Sequence, residues 1–128
     1  MSLQVSLGNI KEVSQEIRKK LSVGKILSIS GPLGIGKTTF IKEMLFEHKV
    51  QSPSFLHALF YGSDFAHIDA YTFKSKESLF AMGIEEILEE RVLIVEWGNL
   101  YEKELEIFDA EIIKLEFYFE GEKRFLKY

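Results

Sequence analysis

Apolar and polar residues alternate in "LQVSL" at positions 3–7, the period of a strand. The spacing then changes to that of a helix, with Ile10, Val13, Ile17 and Leu21 three or four residues apart, Asn9 in the place of an N-cap and Gly24 where the helix would stop. "KILSIS" predicts a buried strand, a glycine-rich loop follows it, and a second helix is expected from about Lys37 to Phe46 with Phe40, Ile41, Met44 and Leu45 on its inner side. Pro53 lacks a backbone donor and drives Ser52 away from helical geometry, so "QSPSF" marks a loop. "FLHALFY" and "FAHIDAY" predict two strands about the turn "GSD", and residues 75–90 carry helical spacing with a break near Gly83.

"RVLIVEW" is apolar toward both faces, as expected of a strand covered on both sides. Ile113, Leu115, Phe117 and Phe119 alternate with Lys114, Glu116 and Tyr118, and "EGEK" separates that run from "RFLKY", which predicts a hairpin packed on one face. Strands interleaved with helices and closed by a hairpin give an α/β sandwich with a mixed sheet, and residues 1–128 are expected to form a single domain.

Composition narrows the function classes. Hydrophobic residues make up 46% of the chain, with 11 Phe, 5 Tyr and one Trp, enough bulk to fill a core without staples. Cysteine is absent, which excludes a disulfide framework and thiolate metal sites. The first residues lack the charged and apolar blocks of a signal peptide, and no apolar run approaches the roughly 20 residues that span a bilayer, so no membrane association is expected and the cytoplasm is the expected location. The formal net charge is -4 and the arginines are three, Arg18, Arg91 and Arg124, which argues against direct docking on nucleic acid. Residues 1–50 carry eight Lys/Arg against four Glu, whereas Gly83 to Glu122 is dominated by glutamate, either as an ordinary solvated face or as an acidic docking surface.

The chemistry begins in "SISGPLGIGKTTF". Gly31, Gly36, Lys37 and Thr38 satisfy G-x-x-x-x-G-K-[ST], with Pro32, Leu33, Gly34 and Ile35 between them and Thr39 after, preceded by an apolar strand and followed by a helix-forming stretch. Glycines let successive N–H groups turn inward to make an anion-binding nest at the positive end of a helix. The guest for such a nest is a polyphosphate, with Lys37 reaching the β and γ oxygens and the Thr38 hydroxyl ligating Mg²⁺. Hydrolysis requires a carboxylate as well, and two stand at strand ends, Glu96 after "VLIV" and Asp69 after "FAHI". Glu96 reads either as a metal or water ligand or as an exposed strand end, and Asp69 either as a second ligand or as a turn cap. His67 reads as a sheet residue rather than a base, and Trp97 as packing or as an adenine platform.

In order and spacing, "GPLGIGKTTF", "SPSF", "HIDAY", the Gly-Ile-Glu-Glu at 83–86 and "LIVEW" resemble the TsaE family, the small ATPases of bacterial tRNA threonylcarbamoyladenosine synthesis, along nearly the whole chain. Two departures stand out: Ser54 where the family usually has threonine, and Thr72 where arginine commonly follows the tyrosine. The resemblance implies a P-loop NTPase-like three-layer sandwich with a mixed, mainly parallel sheet and a C-terminal β-hairpin. It also implies a cytoplasmic ATPase using ATP and Mg²⁺ that works with TsaB and TsaD and meets tRNA only through them. By the same resemblance Gly31 to Thr39 cradle the nucleotide, Lys37 and Thr38 hold phosphate and Mg²⁺, and Asp69 and Glu96 serve metal and water. Ser52 to Ser54 would form a nucleotide-sensing switch that includes Ser54 as a contact, and Trp97 would lie near the nucleotide.

Rival readings are a small P-loop nucleotide kinase, for which three arginines and no spare insertion leave little to build a lid, and a nucleotide-binding regulatory module that does not hydrolyse. A GTPase lacks support, since neither Asn-Lys-x-Asp nor Asp-x-x-Gly occurs. No arginine lies in or next to the phosphate loop, the switch or the two carboxylate segments, so slow hydrolysis by the isolated chain is expected.

Overall fold

A computed structural model describes residues 1–51 and 58–128. The opening alternation becomes β1 (Ser2–Gln4), and the helical spacing becomes α1 (Ile10–Arg18). The apolar run before the glycine loop is β2 (Ile26–Ser30), and α2 (Lys37–Met44) follows the loop. The paired strands β3 (Leu59–Tyr61) and β4 (Phe65–Asp69) meet antiparallel across the expected turn. Next come α3 (Lys76–Phe80) and α4 (Ile84–Glu90), separated at Gly83, whose φ of 72° breaks the helical run as the sequence indicated. β5 (Val92–Glu96), the short α5 (Glu102–Glu106) and the hairpin β6 (Ile112–Glu120) and β7 (Lys123–Lys127) complete the chain.

The strands form one seven-stranded sheet in the order β1-β7-β6-β2-β5-β4-β3. β2 lies parallel to both β5 and β6, and β4 lies parallel to β5; β1, β3 and β7 pair antiparallel with their neighbours. The sheet is therefore mixed and mainly parallel, since only β3 and β7 run against the common direction.

Alternation along the central strands divides the core into two layers. Leu27, Ile29, Ile94 and Leu115 face Ile17, Phe40, Ile41 and Met44 of α1 and α2. Ile26, Ala66, Leu93 and Val95 face Leu79, Ile84, Ile87 and Leu105 of α3, α4 and α5. Helices on both sides explain why all five residues of β5 are buried and why its sequence is almost continuously apolar. No helix among the described residues is long and apolar enough to cross a membrane.

Local details depart from the expectations. α1 ends at Arg18, six residues before Gly24; the chain turns at 19–20, and Gly24 instead donates its N–H to the Arg91 carbonyl at 3.1 Å with φ +93°. Asn9 precedes α1, but its side chain does not cap the helix. It accepts from the Ser6 N–H at 2.7 Å and donates to the Gln4 carbonyl at 2.8 Å, holding the turn between β1 and α1. α2 stops at Met44, and Phe46 is exposed. The "QSPSF" loop lies almost wholly outside the described residues, as does Ser54.

Candidate functional site

Three parallel neighbours end at one edge of the sheet. β2 ends at Ser30 and runs into the glycine loop, β4 ends at Asp69 and β5 at Glu96, with Glu96 in register with Ile29 on one side and Asp69 on the other. Open α/β sheets carry their ligands at this edge, beyond the carboxyl ends of the strands. Here the edge opens into a cavity of about 380 Å³ lined by Leu33, Gly34, Gly36, Lys37, Thr38, Thr39, Asp69, Glu96 and Trp97.

The loop takes its shape from glycines in left-handed backbone, Gly34 at φ +78° and Gly36 at φ +102°. Gly31 is required for a second reason: a Cβ there would lie 2.9 Å from Phe117 of β6, too close for any side chain. Gly31, Pro32 and Ile35 do not line the cavity; they hold the loop in place while their neighbours face it. The Lys37 side chain, buried at 6% exposure, folds back and donates from Nζ to the carbonyls of Gly31 at 2.6 Å and Pro32 at 3.0 Å. Nζ also sits 4.1 Å from the centre of the Trp97 ring. Burial lowers the Lys37 pKa, against the opposing pull of the Glu96 and Asp69 carboxylates.

Thr38 at the start of α2 faces the end of β5, where its hydroxyl donates to Glu96 Oε1 at 2.9 Å. The other carboxylate oxygen lies 2.7 Å from Nε2 of the fully buried His67. Burial pushes the Glu96 carboxyl up, but its hydrogen bonds with His67 and Thr38 and the electrostatic pull of His67 and Lys37 outweigh that and leave its pKa below the ordinary glutamate value. Glu96 is only 4% exposed, so it is no solvated strand end.

Asp69 combines both readings. It accepts the Tyr71 N–H at 3.0 Å, capping the short 3-10 turn at Ala70–Thr72, while also lining the cavity. Burial raises its pKa, the Tyr71 hydrogen bond lowers it, and the Glu96 charge raises it further. Thr72 donates its hydroxyl to the Asp69 carbonyl at 2.7 Å, so the residue that replaces the family's arginine serves the same turn.

Trp97 likewise does two jobs. Its φ of 60° is unusual for a bulky residue, and its N–H donates to the Ile29 carbonyl at 2.7 Å. The ring packs against the second apolar layer, lies 5.0 Å from the ring of Tyr71 and forms one wall of the cavity. Gly98 follows because a side chain there would collide with Ser28 of β2.

Two residues of the site escape the sequence reading. His67 is the sheet residue the sequence indicates, in β4, and period two puts it on the same face as Asp69, the sequence signal for its place beside the site. The second is a correction: an arginine does lie next to the phosphate loop. Arg124 of β7 donates from Nη1 to the Ile35 carbonyl at 2.7 Å, brought there by hairpin pairing from 89 residues away in the chain.

Among the described residues no cluster of three or more His, Cys, Asp and Glu side chains is arranged to hold a metal unaided. The Thr38 hydroxyl and the two carboxylates are an all-oxygen donor set of the kind Mg²⁺ uses when phosphate and water complete its shell.

A strand, a Gly-x-x-x-x-Gly-Lys-Thr loop and a helix at the carboxyl edge of a mainly parallel sheet define the class: a P-loop protein of the nucleotide-binding kind. Within that class the chain belongs to the TsaE family, whose model, described as "Threonylcarbamoyl adenosine biosynthesis protein TsaE", matches residues 5–125. It is 30% identical over 99 residues to the tRNA threonylcarbamoyladenosine biosynthesis protein TsaE of Rickettsia felis, covering 70% of this chain and 57% of the relative. It is 28% identical over 100 residues to the protein of that name from Streptomyces coelicolor, covering 70% of this chain and 68% of the relative. The chain thus spans little more than half the length of the Rickettsia felis protein, at 57%, and of its Rickettsia conorii counterpart, at 56%. The crystal structure of Bacillus subtilis YdiB shares the fold, with a TM-score of 0.69 at 20% identity over 98% of this chain and 83% of that one.

Proposed function

We propose that the chain is the ATP-binding and ATP-hydrolysing component of the tRNA N6-threonylcarbamoyladenosine machinery, acting in the cytoplasm with TsaB and TsaD. The observation that carries this reading is the convergence of Lys37, Thr38 and a buried, hydrogen-bonded Glu96 on one cavity at the edge of the sheet. Membership of the TsaE family supports the pathway.

In this reading the loop amides between Gly31 and Thr39 wrap the phosphates, and Lys37 exchanges its two carbonyl contacts for phosphate oxygens. Trp97 bounds the nucleotide on one side, and Ser54 is a further contact by family likeness. Thr38, Glu96 and Asp69 would hold Mg²⁺, which would supply neutralisation of phosphate charge. Glu96 is held ionised and is aimed by His67 and Thr38, so its carboxylate is a ready acceptor for the attacking water, with Asp69 as its neighbour.

Charge on the transferred phosphoryl group limits the rate. Lys37 is the one cation lining the cavity among the described residues, while Arg124 is engaged on the loop backbone and does not line it. An arginine supplied by a partner is worth about 10³ to 10⁵ in rate. Phosphate release should therefore be slow for the purified chain, rise sharply when TsaB and TsaD are added together, and stay unchanged with tRNA alone. Fast turnover by the chain alone, or stimulation by tRNA without the pair, contradicts the proposal.

A further inference from the structure

The phosphate loop has two faces. One faces the cavity, through Gly34, Gly36, Lys37 and Thr38. The other faces a groove between the hairpin and the end of β1, lined by Val5, Gly34, Ile35 and Arg124. The half-buried Arg124 spans this outer side, donating from Nη1 to the Ile35 carbonyl at 2.7 Å and from Nε to the Val5 carbonyl at 3.5 Å, a longer contact. Val5 returns a backbone bond, its N–H donating to the Arg124 carbonyl at 2.8 Å. A Cβ at Gly36 would collide with the same guanidinium.

In a trans peptide the carbonyl and the following N–H point in opposite directions. The Ile35 carbonyl and the Gly36 N–H belong to one such plane, so a donor that holds the carbonyl on the outer side turns the N–H toward the cavity. Arginine suits this task because its planar fork is charged at any working pH and offers several donors in fixed geometry. A flipped plane would instead present a carbonyl oxygen to a phosphate.

We propose that Arg124 is a positioning residue for the phosphate cradle, locking the Ile35–Gly36 peptide with the Gly36 N–H facing the bound phosphates. The inference rests on the nucleotide-binding reading for its consequence, while the contact from Arg124 to the Ile35 carbonyl is made within the chain itself. Its second anchor at Val5 ties the loop to the sheet edge formed by β1 and β7.

Arg124→Gln and Arg124→Ala test it in the full chain. Backbone order parameters from ¹⁵N relaxation in nucleotide-free protein should fall at Gly34 to Lys37 from the range of rigid backbone, about 0.85, toward that of flexible backbone, below about 0.6, while β2 and β5 stay rigid. ADP affinity should fall by about tenfold or more, the scale of losing a hydrogen bond to a charged group, and added methylguanidinium should restore part of it to Arg124→Ala. Unchanged order parameters at Gly36 in Arg124→Gln overturn the proposal whether or not nucleotide binds. Order parameters that fall equally throughout the chain also overturn it, because Arg124 would then be a fold-wide support. A wild-type chain that fails to bind ADP refutes the proposed function, and the order parameters still decide the role of Arg124.

Discussion

At the scale of single residues, Lys37 satisfies the loop carbonyls of Gly31 and Pro32 and, in the proposed function, would supply the cation. Lys37→Ala removes a charge-assisted contact of about 1.5–3 kcal/mol and should weaken ADP binding by at least tenfold, read by titration with a fluorescent analogue. Burial lowers the Lys37 pKa, so its charge is lost as pH rises through a value below the ordinary lysine range. ADP affinity should therefore decline at alkaline pH before a solvent-exposed lysine would titrate; constant affinity through that range contradicts the assignment. The residues of the loop and the two carboxylates were legible because the motif is contiguous and strand ends are marked by their apolar runs. Arg124 was not, since its place depends on a pairing between β6 and β7 that carries it over the loop. His67 was half legible: its face followed from alternation, but its partner Glu96 depended on which strand lay beside β4.

At the scale of elements, α2 is fixed between the hairpin and α1. Phe40 meets Phe117 edge to face, with centroids 5.3 Å apart, and Phe117 also closes the space beside Gly31. Phe117→Ala should cost about 3–5 kcal/mol in denaturant unfolding, as expected for emptying a fully buried aromatic site. On the other side, Arg18 at the end of α1 forms two 2.7 Å contacts with Glu47 and donates to the Met44 carbonyl at 2.9 Å. Arg18 holds the Glu47 carboxyl below its ordinary pKa, so the stabilisation is present above the unfolded glutamate value and is lost as pH falls through the lowered folded value. Solvent screening at this partly exposed pair keeps the effect small, and Glu47→Gln should cost about 0.5–1 kcal/mol at neutral pH. Thermal unfolding of the two proteins should converge on acidification; a difference that persists in strong acid would mean the carboxylate charge is not the cause. Helix existence and faces were legible from spacing, but boundaries were not: α1 stops where Arg18 and its neighbours meet α2, a tertiary event that no local breaker signals. α5 was not foreseen, because a helix of five residues offers little periodicity beyond the buried Leu105.

At the scale of the whole molecule, two helical layers clamp a sheet whose carboxyl edge carries every described residue of the proposed chemistry. That architecture was readable because β5 is apolar on both faces, which only a covered central strand requires. The order of the strands came only with the structure, and it is this order that sets Glu96 between Ile29 and Asp69. The proposed function requires that the edge not only hold a triphosphate but cleave it, with Glu96 contributing more to the transition state than to binding. The most direct test is MgATP affinity and single-turnover phosphate release measured side by side for wild type and Glu96→Gln, with TsaB and TsaD present. The expected result is affinity within a few-fold of wild type and cleavage slower by about a hundredfold or more, the scale of losing one preorganised electrostatic group. Wild-type cleavage by Glu96→Gln, or no cleavage by the wild type itself, would contradict it.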